Sequence, residues 1–134
     1  MKRVIVANKL PFDKSSTGQD VWYKSYVDVI DYTVDKVTNA NGAEVSMGEA
    51  YTILFPFNDS YVPSQKWTDS DFLNRENTFT MQTGDIIFFD DFDDAITPNS
   101  ILELQDMYQS CEVRVVEERE QMYGVKEQLR VSGV

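Results

Sequence analysis

Between positions 20 and 34 the chain carries Val21, Trp22, Tyr23, Tyr26, Val27, Val29, Ile30, Tyr32 and Val34. β-Branched and aromatic side chains lose freedom against the turn of a helix and pack well on a pleated sheet, so this stretch reads as one strand. A strand that rich in apolar groups needs partners, and further β runs flank it. Val4, Val6 and residues 8–10 form a first alternating run, and two Ser, a Thr and a Gly at 13–18 mark the turn between them. Asn39-Ala40-Asn41-Gly42 is a second turn, since Asn-Gly tolerates positive φ. A third strand is expected through Glu44 and Val45. A fourth, the most apolar, runs over 50–57, with Pro56 marking its end.

Residues 58–77 have no clean period and form a long inserted loop, of a length that is usually functional or mobile. Residues 78–81 and 85–89 flank Gln82-Thr83-Gly84 and read as a hairpin. One helix is expected from about Pro98. Proline suits a first turn, Ser100 and Glu103 have capping-box spacing, and Ile101, Leu104, Met107 and Tyr108 share a face. Cys111, Val113 and Val115 then alternate as a strand. Tyr123-Gly124 turns the chain, and the segment 125–131 returns with Leu129 and Val131 on one face. The expected fold is therefore a single mainly β domain over 1–134, a small barrel or sandwich with one short helix before a C-terminal hairpin.

The chain has 134 residues, 42% hydrophobic and 13% aromatic, which opposes disorder despite a net charge of -11. That charge opposes gripping nucleic-acid phosphates and binding an anionic membrane. No apolar run is long enough for a signal peptide or a membrane span, so cytoplasm-like conditions are expected.

The sequence contains no His and a single cysteine, Cys111. The usual general base, the usual activator of Ser or Cys, and the commonest zinc ligand are missing. Neither a disulfide nor a thiolate cage can form within the chain. Cys111 reads as a small buried apolar residue. Asp90, Asp91, Asp93 and Asp94 put four carboxylates in five positions, yet without the alternate ligands, central Gly and distal Glu of a calcium loop. A solvated acidic loop is the plainer reading. Residues 42–48 lack the features of a phosphate loop, and Gly84-Asp85 reads as turn chemistry. Tyr61, Trp67 and Phe72 on the long loop either tuck over the core or anchor a partner, and Tyr123 is a further interface candidate. No enzyme, cofactor or metal is expected; a carboxylate enzyme such as a glycosidase would need a cleft the sequence does not announce.

The order of landmarks carries a resemblance. A strand ends in Ala7-Asn8-Lys9, and Asp20-Val21-Trp22-Tyr23 opens the next. Tyr51-Thr52-Ile53-Leu54-Phe55-Pro56-Phe57 closes on an Ile/Phe-Pro-Phe pattern. Thr83-Gly84-Asp85-Ile86-Ile87 enters a strand, a short helix passes through Ile101-Leu102, and a hairpin over 113–131 turns near Tyr123-Gly124. This set resembles the minor capsid or head–tail joining proteins of tailed phages. The resemblance implies a small β-barrel with inserted loops acting in a virion as a head-closure (stopper) connector. It would be a ring of about six or twelve copies, contacting portal or adaptor proteins on one side and tail proteins on the other. Phage DNA would pass without specific binding, and Asp90, Asp91, Asp93 and Asp94, or part of 58–77, would line the channel and repel phosphates. Synthesis in the host cytoplasm is implied. A tail terminator or tail completion role stays open within the same class. From another class, an acidic DNA mimic that inhibits a nucleic-acid enzyme also fits the charge.

Overall fold

The computed structural model describes residues 2–11, 18–39, 46–56, 60–69, 71–120 and 126–134. Seven strands form one antiparallel sheet: β1 (Lys2–Leu10), β2 (Val21–Val29), β3 (Asp31–Asn39), β4 (Ser46–Pro56), β5 (Ile86–Phe88), β6 (Ser110–Glu120) and β7 (Lys126–Gly133). A short helix α1 (Ser64–Trp67) and a 3-10 turn (Arg75–Asn77) lie between β4 and β5, and α2 (Ile101–Met107) lies between β5 and β6. The spatial order is β2-β1-β5-β6-β7-β4-β3. Its two ends, β2 and β3, are consecutive in the chain and separated only by Ile30. The sheet therefore curls into a half-barrel, as the mainly β reading expected.

The run at 20–34 is two strands where one was expected. β2 pairs with β1 as far as Val29↔Lys2, and β3 begins pairing with β4 at Asp31↔Leu54. Between them the Ile30 N–H donates to the Leu54 carbonyl at 2.8 Å. The chain changes partner at a single residue, and no glycine or proline marks the place.

β4 is one strand of eleven residues, not two short ones. The ladder with β3 runs unbroken from Asn39↔Ser46 to Asp31↔Leu54, and that pairing carries Gly48 within it. The expected turns at 13–18, 39–42 and Tyr123-Gly124, and the strand residues Glu44 and Val45, fall outside the described residues, except Gly18 and Asn39, and Asn39 is the last residue of β3.

Val4, Ile5, Val6 and Ala7 are all buried, as are all three residues of β5. These strands are covered on both faces, so an unbroken apolar run suits them better than alternation. The inner face holds the main core, with Val6, Val29, Ile53, Phe55, Ile87 and Val131. On the outer face Ile101 and Leu104 of α2, with Phe92 and Ile96 of the segment before it, seal Ile5, Ala7, Ile86 and Phe88. Met107 is 64% exposed and does not share that apolar face, because the helix ends there and Tyr108 is already extended. The expected capping box is also absent. The Ser100 hydroxyl accepts the Thr97 N–H and donates to the Ala95 carbonyl instead.

Two further expectations are corrected. Residues 78–81 do not form a hairpin with 85–89; β5 pairs with β1 and β6, while Phe79 bridges to Tyr61. In β6, Val115 is exposed although Cys111 and Val113 are buried. A register shift between Val113 and Val115 inserts an extra residue, which leaves Val115 outside and turns Val116 toward the core.

Candidate functional site

Asp85 is the most unusual titratable residue described. It follows Gly84, whose φ of 98° is a conformation glycine adopts without strain, and the Asp85 N–H closes the turn on the Gln82 carbonyl at 3.1 Å. Gly84-Asp85 is thus turn chemistry, as expected, but the turn buries a carboxylate completely. Its oxygens accept four N–H groups: the backbone of Lys9 (3.0 Å) and Gln82 (3.1 Å), and the side-chain amides of Asn8 (2.8 Å) and Gln82 (3.3 Å). Burial pushes the carboxyl up to about 7, while these hydrogen bonds pull the other way.

Asn8 extends the network. Its amide donates to the Thr80 carbonyl at 2.6 Å and its oxygen accepts the Thr80 N–H at 3.1 Å. The side chain thereby acts as the strand neighbour that Thr80 lacks. The Gln82 amide reaches the Lys9 carbonyl at 2.7 Å. The knot locks β1 to the segment leading into β5. The carboxylate at its centre has no exposed surface. Asn8 and Asp85 lie 77 positions apart, so no local motif announces their meeting.

The acidic run sits on the outer surface beyond β5. Asp91, Asp93 and Asp94 are exposed, and Phe92 between them is buried, edge-on to Phe88 and stacked on Tyr108. Phe92 is therefore the anchor of the run. Strand β2 holds its backbone: the Lys24 ammonium and the Tyr26 hydroxyl both donate to the Phe92 carbonyl. Asp90 accepts the Gln109 N–H, and Asp91 pairs with Arg3 at 3.1 Å. The Asp90 and Asp91 carboxylates thus have separate partners. Among the described residues no group of three or more His, Cys, Asp or Glu could hold a metal ion.

The aromatic candidates of the long loop separate. Trp67 is fully buried with Leu10 and Val62, and Tyr23 meets it edge-on at 5.4 Å. Of the two roles open to it, this one is packing. Arg75 ties the loop down, donating to the carbonyls of Trp67 and Asp69. Phe72 is half-buried against the same cluster, and Tyr61 packs on Phe79. Tyr123 lies outside the described residues. Cys111 is buried in the core, and burial pushes its thiol up to about 12.

An open groove of about 570 Å³ runs along the outer edge of β2. Its walls are Lys24–Asp28 on one side and Pro56, Glu76, Asn77 and Phe79 on the other. No sequence pattern marked it, because its two sides come from distant segments. No helix of the described residues is long and apolar enough to cross a membrane.

A family model described as "Family of unknown function (DUF6751)" matches residues 8–134. No curated protein matches the chain, and no solved structure does.

Proposed function

The chain belongs to this family of unknown function over nearly its whole length, and from that premise we propose that it is an assembly protein, a head-closure connector subunit of a tailed-phage virion. The observation that carries the reading is the ribbon formed by β3 and β4. Residues 35–39 pair with 46–50, and β7 comes alongside β4 only from Tyr51↔Gly133 onward. Among the described residues, this part of the ribbon has no third strand. A two-stranded ribbon is marginal in water on its own, and its free edge invites a neighbouring chain. A ring subunit has such neighbours on both sides.

The acidic surface fits the same role. Asp91, Asp93 and Asp94 are exposed on a segment that β2 pins down, so their charge has a defined place on the surface. Facing a channel, carboxylates held in this way would repel a passing polyanion. A non-enzymatic role without cofactor belongs to the same proposal, as does location in the virion.

The test is to mix the purified chain with portal rings of the phage that encodes it and to image the product by electron microscopy. An added layer stacked on the portal is the expected result. A monomer that ignores portal and tail rings and inhibits a nuclease would replace this reading with the acidic DNA mimic.

A further inference from the structure

Leu73 is 92% exposed, the most exposed large apolar side chain among the described residues. A solitary surface leucine is ordinary, but this one stands on a loop tip that is fastened on both sides. The Phe72 N–H donates to the Asp69 carbonyl at 3.0 Å, and the Thr78 hydroxyl donates to the Asn74 carbonyl at 2.7 Å. Arg75, which donates to the carbonyls of Trp67 and Asp69, also lays its guanidinium over the rings of Trp67 (5.5 Å) and Phe72 (5.8 Å). Trp67 is fully buried, so the tip is anchored in the interior while Leu73 stays in solvent.

A side chain presented from a backbone already held in place loses little further freedom on docking. The charge around it is one-sided. Asp71 and Glu76 are exposed and form no ion pair among the described residues. Arg75, the one cation of 71–76, is half-buried and engaged by carbonyls. The complement of an apolar knob with acidic flanks is an apolar socket with Lys or Arg at its rim. A second copy of this chain is a poor source of one, with 12 Lys+Arg against 23 Asp+Glu.

We propose that residues 71–76 are a docking knob: Leu73 enters an apolar socket on a neck protein other than this chain, and Asp71 and Glu76 meet basic side chains at the socket's rim. The proposal rests on the connector reading, in which portal and tail rings are the proteins that this chain meets. It adds which part of the surface makes one of those contacts and what chemistry receives it.

The unaltered chain, Leu73→Ser, Leu73→Met and the Asp71→Asn/Glu76→Gln double variant are each titrated against purified portal rings and purified tail rings. Leu73→Ser should weaken binding to one of the two rings about ten- to a hundredfold and leave the other unchanged. Its melting temperature should match that of the unaltered chain, since the side chain is already in water. Leu73→Met, which keeps the apolar volume, should bind close to the unaltered chain. The double variant should weaken binding to the same ring and flatten its dependence on salt. If the unaltered chain binds neither ring, the connector reading fails and the docking knob with it. If the unaltered chain binds and Leu73→Ser binds both rings equally well, the docking knob alone is overturned.

Discussion

Replacing Asp85 with asparagine, and following stability across pH, tests how the buried knot is held together. The carboxyl rises from an ordinary value of 3.8 to about 7 because burial penalises its charge more than four N–H donors compensate. The folded state therefore binds a proton that the unfolded state has released in the window between these values. Stability from this group is complete below about pH 4, falls as pH rises toward 7, and is level above that. The separation amounts to on the order of 4 kcal/mol. In the Asp85→Asn variant the group cannot ionise, and an amide nitrogen meets donors where an oxygen stood, at a cost of about 1–3 kcal/mol. Urea denaturation from pH 4 to 8 should show the wild type ahead by about 1–3 kcal/mol near pH 4, the two curves crossing as pH rises, and the variant ahead by about 1–3 kcal/mol above pH 7. Other carboxylates titrate in both proteins, so the difference isolates Asp85. A gap that widens in favour of the wild type as pH rises would refute burial as the dominant influence and hand that role to the four donors.

Three further outcomes are expected. A Cβ on Gly133 would lie 2.6 Å from the Glu112 carbonyl oxygen and 2.9 Å from the Cys111 sulfur, so Gly133→Ala should lose about 1–3 kcal/mol in thermal melts. Trp67→Ala should cost about 3–5 kcal/mol in chemical denaturation, since the ring is fully buried. Trp67→Phe should cost less, because the indole N–H has no hydrogen-bond partner among the described residues to lose. The Cys111 thiol, raised to about 12 and buried, should resist a thiol reagent at pH 8 until the protein unfolds. Rapid labelling of the folded protein would show that the strand opens there.

Much of the fold was legible because local chemistry and global structure agree. Ile101 and Leu104 fall on one helical face and are buried, and Gly84 takes the turn that glycine permits. Leu129 and Val131 alternate inward as their spacing required. The misses have one physical origin, which is that partners were chosen across the sheet. The break at Ile30 falls where β2 meets the first residues of β1 and β3 meets the C-terminal part of β4, and no breaker residue marks it. The exposure of Val115 follows from a register shift against β7. Residues 78–81 look like strand, yet their polar partner is a side chain of β1.

The candidate sites divide in the same way. The acidic run was visible as composition, but the role of Phe92 as its anchor depends on Phe88 and Tyr108. The five residues of the Asp85 knot are individually ordinary, and the groove at β2 joins segments that the sequence keeps far apart. By itself the sequence determined the class: β-forming runs, aromatic content, one helix, and an acidity and lack of histidine that narrow the chemistry. Periodicity and composition are local or additive properties, and they survive reading in one dimension. Only the tertiary structure decided that Trp67 packs, that Asp85 is buried, and that β2 pairs with β1 alone among the described strands. Burial and pairing are relations between distant residues, settled when the curled sheet selects which surfaces lose water.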